Sequence, residues 1–269
     1  MNILYQASDD FQSNPPIFTI ITINYNGGAL LAGTMESVRQ QTWPHIEYWV
    51  IDGGSRDNSL DIIREFEAKM PGLRWLSEPD RGLYDAMNKG LRRATGDFVW
   101  FLNGGDHLHA PDTVEKVAAL VGPETGVLYG ETLLVDANRK PAGTMSELST
   151  RRLPESLHWH DYLGGMLVVH QSFVARRILA PEYIEGNLCA DYDWCIRILK
   201  QSRENVNTGL ILSDYLMGGM SKQRHRQSLR DRFDIMKKHF GGQQARLAHV
   251  RILWRALRHR LNRLGKSQY

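Results

Sequence analysis

The chain has 269 residues, 42% of them hydrophobic and 23% charged, with a net charge of +3. That balance suits one large domain, or a domain with a small appendage, and excludes disordered, collagen-like and coiled-coil chains. Two cysteines, Cys189 and Cys195, build no disulfide scaffold, Met1 to Pro16 carries no basic leader, and no apolar run nears the roughly 18 residues of a bilayer span, so a cytoplasmic protein is expected.

Four short β-favouring runs occupy the first half: Phe18–Ile23, Tyr48–Ile51, Arg74–Leu76 and Phe98–Leu102. Helical spacing separates them. Leu30, Leu31, Thr34, Met35 and Val38 share one face; Leu60, Ile62, Ile63 and Phe66 share a second after the Ser55/Asp57 start signal. Tyr84, Met87, Leu91 and Ala94 form a third, with Gly96 as the expected C-cap. Strand–helix alternation with compact connections predicts a parallel, doubly wound α/β sheet.

Such sheets bind ligands beyond the carboxyl ends of their strands. Here those ends are polar: Asn24-Tyr25-Asn26, Asp52-Gly53-Gly54-Ser55, Glu78-Pro79-Asp80-Arg81-Gly82 and Asn103-Gly104-Gly105-Asp106. No G-x-G-x-x-G follows the first strand, and Thr34 stands where a P-loop spacing from Gly28 and Gly33 would need lysine. An acidic rim without a phosphate lysine makes a divalent cation the economical partner for a diphosphate.

The second half is less regular. Gly126–Val135 reads as strand or hairpin, Arg139–Arg152 as loop, Asp191–Lys200 as helix and Leu210–Tyr215 as strand. His158-Trp159-His160-Asp161 has no strong zinc spacing and reads as a polar loop. Residues 222–269 hold 14 Lys or Arg and two acids, Asp231 and Asp234, whereas residues 1–221 hold 19 basic and 28 acidic side chains. From Gln243 onward, Leu247, Val250, Leu253, Trp254, Leu257, Leu261 and Leu264 fall on one helical face among arginines. A basic amphipathic helix over 243–264 lies on a membrane surface, packs on the acidic body, or joins a second subunit in a homo-oligomer.

Ile20-Ile21-Thr22-Ile23-Asn24-Tyr25-Asn26, Val50-Ile51-Asp52-Gly53-Gly54-Ser55-Arg56-Asp57, Ser77 to Gly90 and Phe101-Leu102-Asn103-Gly104-Gly105-Asp106 together resemble family 2 glycosyltransferases, above all the bacterial colanic-acid, O-antigen and capsule branch. The resemblance covers about residues 17–221 and is densest over 17–107. It implies a GT-A fold: a Rossmann-like, mainly parallel sheet with a nucleotide-sugar-binding half over 17–125 and an acceptor-binding half over 126–221. An N-terminal extension, 1–16, and the basic helical tail, 222–269, flank them. It also implies an inverting, Mg²⁺- or Mn²⁺-dependent transfer from a nucleotide-diphospho-sugar, with a lipid-linked glycan as the expected acceptor on the inner face of the cytoplasmic membrane.

By the same resemblance, Thr22, Asn24, Asn26, Asp52, Asp80, Asp85 and Asn103 bind the nucleotide sugar, and Asp106 holds the metal. Asp191, the first aspartate of Asp191-Tyr192-Asp193, is the base that takes the acceptor proton. Cys195 and Ile198, at i+4 and i+7, turn Asp191 inward, while Asp193 pairs with Arg197 on the outer face. His170, Gln171 and Ser221 are candidates for the acceptor or the diphosphate. The chain departs from the family at Asn103 and Gly105, where acids are common, and at Ala190, where glutamate often precedes the base. Two rivals stand beside this reading. A sugar-1-phosphate nucleotidyltransferase would want basic residues in Asn24-Tyr25-Asn26-Gly27-Gly28, which has none. A non-catalytic relative would fit Asn103 and Ala190. The acidic body argues against nucleic acid as partner.

Overall fold

The first strand, β1 (Phe18–Asn24), is buried along all seven residues. A strand covered on both faces reads as a continuous apolar run, and this one sits at the centre of a parallel array. The computed structural model describes residues 15–218 and 225–266. In it β1, β2 (Ile46–Asp52), β3 (Leu73–Ser77) and β4 (Phe98–Phe101) run parallel, linked by α1 (Gly28–Arg39), α2 (Ser59–Lys69) and α3 (Leu83–Leu91). Then follow β5 (His107–Leu108), α4 (Thr113–Ala118), β6 (Thr125–Val135), β7 (Pro141–Thr144) and the single turn α5 (Met145–Leu148). The chain continues through β8 (Phe173–Arg176), α6 (Ala190–Leu199), β9 (Glu204–Leu216), α7 (His225–Phe240) and α8 (Gly242–Lys266). The segment read as loop over 139–152 thus contains β7 and α5.

Among the described residues one nine-stranded sheet has the order β3-β2-β1-β4-β8-β6-β9-β5, with β7 on β6. The first four strands are parallel as the spacing predicts. β8 runs antiparallel to β4 and β6, so the sheet is mixed beyond β4, and β6 and β9 pair in parallel. Alternation along β1 sends Phe18 and Ile20 to one core and Ile21 and Ile23 to the other. The first core lies under α1, α2 and α4; the second lies under α3, α6 and the C-terminal helices. A Cβ on Gly90 would stand 2.5 Å from Cγ2 of Ile21, so glycine lets α3 lie directly on β1. Gly96 is no C-cap: α3 ends at Leu91, and Gly96 instead donates its N–H to Thr19 Oγ1 beside β1.

Register matters most at the carboxyl edge. Asn24 pairs with Asp52, and Asp52 with Ser77, so three polar strand ends form one row. Gly104 extends that row by donating to the Ile23 carbonyl.

The tail helices dock on the second half. Ile235, Met236, Phe240, Ala245 and Ala248 join its core, and α8 packs on α7 and on the 3₁₀ turn Trp159–Gly164. The expected helix over 243–264 is present, but its buried side is the small-residue line Ala245, Ala248 and part of Ile252, while Leu247, Val250 and Trp254 face outward. The side chains of Leu253, Leu257, Leu261 and Leu264 lie outside the described residues. No helix among the described residues is long and apolar enough to cross a membrane.

Candidate active site

Asp52 is fully buried, and its carboxylate accepts from Asn24 Nδ2 at 2.8 Å, Ser77 Oγ at 2.7 Å, the Ser55 backbone at 2.9 Å, the Gly54 backbone at 3.2 Å and the Ser55 hydroxyl. Burial raises its pKa, but these donors outweigh burial and hold it below the usual carboxylate range. The carboxylate thereby braces the ends of β1 and β3 and the loop after β2. Thr22 sits below the rim, fully buried, with its hydroxyl 3.0 Å from that of Tyr48.

Two amide oxygens at the rim are left without a donor. Among the described residues Asn24 Oδ1 and Asn103 Oδ1 are buried and accept no hydrogen bond. A Cβ on Gly27 would stand 2.1 Å from Asn24 Oδ1, and one on Gly104 would stand 3.3 Å from it. The two glycines let the backbone pack close to an acceptor that lacks a donor. Asn26 stands exposed beside it with φ of 50°, its Oδ1 accepting from the Arg56 backbone. Tyr25, 65% exposed, lies near Gly53 and adds a flat aromatic face that no motif announces.

Asp80 packs on Gly53, where a Cβ would stand 2.2 Å from its Oδ2. Its other oxygen accepts from Gly82, and burial pushes its pKa up. Asp85 is buried, and its oxygens take the Arg81 backbone and guanidinium, both at 3.0 Å, with Lys89 at 3.6 Å. Asp85 thus holds the Arg81 loop. Arg81 also reaches Glu185 at 2.9 Å, tying the two halves of the sheet's edge together.

Asp106 follows β4 and is 4% exposed. Gln171 Nε2 donates to its Oδ2 at 2.7 Å, and the Leu216 backbone to its Oδ1 at 2.9 Å. Burial pushes its pKa up to about 7. The nearby guanidinium of Arg139 is bonded to the Gly105 carbonyl at 2.7 Å, not to the carboxylate. Among the described residues no three or more His, Cys, Asp or Glu gather as a metal cage. Asp106 still fits a divalent cation. It is a buried carboxylate short of counter-charge, and Mg²⁺-type ions are commonly held by one or two carboxylates plus substrate phosphates.

Asp191 lies in the first turn of α6, partly exposed. Its Oδ1 accepts from the Tyr84 hydroxyl at 3.2 Å and the Tyr192 backbone at 2.9 Å. Burial raises its pKa, against the pull of those donors and of Arg232 on α7. The phenol of Tyr215 is pushed up by burial first, and then by the carboxylates of Asp106 and Asp191.

Three other expectations resolve differently. Asp193 pairs with Arg197 as predicted, at 2.6 Å, but it is fully buried beneath α7, where it also meets Lys238 at 3.1 Å and His239 at 2.7 Å. His170 is a core histidine. Its Nε2 meets the Tyr183 hydroxyl at 2.7 Å inside a cage of Phe101, Tyr183 and Trp194, and burial lowers its pKa to about 3. Gln171 reaches the site only through Asp106. Ser221 lies outside the described residues.

The family model described as "Glycosyl transferase family 2" matches residues 19–180. A "PGL/p-HBAD biosynthesis glycosyltransferase" of Mycobacterium bovis (strain BCG / Pasteur 1173P2) is 31% identical over 190 residues, 68% of this chain and 69% of that protein. An uncharacterized glycosyltransferase of Mycobacterium tuberculosis (strain CDC 1551 / Oshkosh) is 32% identical over 255 residues, 89% of this chain and 92% of that protein. Among solved structures, S. aureus TarS with UDP-GlcNAc aligns at a TM-score of 0.66 and 16% identity, over 88% of this chain and 71% of that one. The mannosyltransferase PcManGT from Pyrobaculum calidifontis, with GDP-Man and Mn²⁺, aligns at 0.62 and 17% identity, over 95% of this chain and 81% of that one. At those identities the structures share the fold.

Proposed function

We propose a specific transfer reaction for this chain, which belongs to glycosyl transferase family 2. A hydroxyl of a lipid-linked glycan attacks the anomeric carbon of a UDP- or GDP-linked sugar, with inversion, during assembly of a bacterial surface polysaccharide. The observation that carries the reading is the row of polar strand ends Asn24, Asp52 and Ser77, with the donorless amide oxygens of Asn24 and Asn103 and the buried Asp106 carboxylate at the same edge.

In this reading the donor half, 17–125, holds the nucleotide through the unpaired oxygens of Asn24 and Asn103, with Asn26 and Asp80 at the edge and Tyr25 offering a stacking face. Asp106 holds Mg²⁺ or Mn²⁺. The cation, when bound, supplies positive charge to the leaving diphosphate. The acceptor half, 126–221, presents Asp191. As the acceptor oxygen forms its bond to the anomeric carbon, its proton passes to the Asp191 carboxylate, and the bond to the diphosphate oxygen breaks with its electron pair leaving on the diphosphate. Tyr84 and the α6 N-terminus aim Asp191 and oppose the effect of its burial by favouring the charged form. The protein works at the inner face of the cytoplasmic membrane, where a lipid-linked acceptor resides. The complexes of TarS with UDP-GlcNAc and of PcManGT with GDP-Man and Mn²⁺ support the donor class and the cation.

Asp191→Asn tests the reading. The amide keeps the size and one acceptor oxygen but takes no proton. Transfer should fall by about 10²–10⁴-fold, while thermal stabilisation by the donor with Mn²⁺ stays near wild type. Turnover within a few-fold of wild type would remove Asp191 from the role.

A further inference from the structure

Helix α8 is built back to front for a helix that only packs on its own domain. Its small residues go inward: Ala245 is 0% exposed and Ala248 6%, and Ile252 approaches Gly165. Arg255 locks the same side by donating to the Gly164 carbonyl at 2.8 Å. Its large apolar residues go outward: Leu247 is 61% exposed, Val250 65% and Trp254 60%. The spacing i, i+3, i+7 sets these three in one line on the face opposite Ala245 and Ala248. Arg246 and Arg251 are exposed and flank that line, one on each side.

We propose that this face of α8 docks on an anionic lipid surface. Charge selects the occupant: α7 and α8 carry 12 Lys or Arg against Asp231 and Asp234. An apolar line between arginines, with an indole at its end, matches a headgroup boundary, where side chains enter the acyl edge and guanidiniums stay with phosphates. The placement also suits the reaction. α8 packs on the turn Trp159–Gly164, and the Tyr162 carbonyl of that turn accepts from the Tyr192 hydroxyl, next to Asp191. Docking through α8 therefore sets the acceptor half, not the nucleotide half, against the lipid. The link to a lipid-linked acceptor rests on the function proposed above; the docking itself does not.

The test uses the full chain in flotation with phosphatidylglycerol–phosphatidylcholine vesicles and with phosphatidylcholine alone. The wild type should float with the anionic vesicles, less so at high salt, and poorly with the neutral ones. Leu247→Ser with Val250→Ser, both at exposed positions, should lower the bound fraction on the order of tenfold at an unchanged melting temperature. Arg246→Glu with Arg251→Glu should do the same and flatten the salt dependence. Quenching of tryptophan emission by bromine-labelled lipid gives a readout on the wild type alone. Absence of wild-type flotation on anionic vesicles, or equal flotation of all three proteins, overturns the proposal. So does a Ser variant that changes only the oligomeric state, because the face would then belong to a second copy. Hydrolysis of donor sugars into water should be equal in all three proteins. If the wild type turns over no donor yet floats, the catalytic reading fails and the docking surface stands.

Discussion

Gln171 Nε2 and Asp106 Oδ2 meet at 2.7 Å, across 65 residues of sequence. The bond joins a 3₁₀ turn of the second half to the loop after β4, and Gln171 is itself fixed by Trp100, whose indole N–H donates to its carbonyl at 2.8 Å. The Asp106 carboxylate is therefore positioned by a residue of the second half of the chain.

Asp106→Asn separates the role of this group in function from its effect on stability. Burial raises the folded pKa of Asp106 from 3.8 to about 7. A raised carboxylate favours folding while protonated, and that contribution is lost as pH rises from about 4 through about 7. At pH 8 in chelator, Asp106→Asn should therefore melt higher than wild type, by an amount on the order of 2–4 kcal/mol. Added Mn²⁺ should stabilise and activate the wild type and do neither for the variant.

Tyr84→Phe removes a donor from the Asp191 carboxylate. Fewer hydrogen bonds to the charged form raise a carboxylate further. The acid limb of the rate profile should move to higher pH, with a few-fold loss of rate below the limb and near-normal rate well above it. An unmoved limb would separate Tyr84 from the base.

Asp193→Asn should loosen the tail. Asp193 is fully buried among Arg197, Lys238 and His239, and although burial raises its pKa, these partners bring it down to about 2. A depressed carboxylate stabilises the fold above its unfolded pKa near 3.8 and loses that contribution as pH falls toward 2. The variant should be less stable at pH 7 by about 2 kcal/mol, and the gap should close between about pH 4 and pH 2. Urea melts at the two ends of that range measure it.

Gly90→Ala should cost about 1–3 kcal/mol by overpacking, because its methyl would meet Ile21 at 2.5 Å on a central strand. Chemical denaturation checks the size; a neutral result would mean that α3 shifts freely on the sheet.

The parallel strands and the rim were legible because a strand end announces itself locally: an apolar run stops and a polar residue follows, as at Asn24, Asp52 and Asn103. What those polar atoms face is not local. Asp52 and Asn24 adjoin in register, yet one spends its carboxylate on the loop and the other keeps an oxygen free. The burial of Thr22 follows from the cover on both faces of β1, which buries every residue of that strand. His170 was ambiguous because its cage is assembled from Phe101, Tyr183 and Trp194, distant in the chain. Arg139 reaches Gly105 from a hairpin at φ of 62°, a conformation without a sequence signature outside glycine and asparagine. Which of the three roles open to α8 holds was not legible because apolar size and burial usually agree, and here small alanines take the contact.

The pairing of β5 with β9 sets His107 against Asp214, and that of β6 with β9 runs from Thr125–Glu204 to Val135–Leu216. A chain emerging from the ribosome has all four parallel strands once residue 101 is out, but Gln171 and the Leu216 backbone arrive much later. Until they do, Asp106 has neither of its donors and β4 has an open edge on the side that β8 later covers. Closing such long loops is slow relative to local pairing. Synthesis from the N-terminus thus yields the row Asn24, Asp52 and Ser77 well before Asp106 gains its two donors, and nascent chains have a period in which their fourth strand is exposed to other chains.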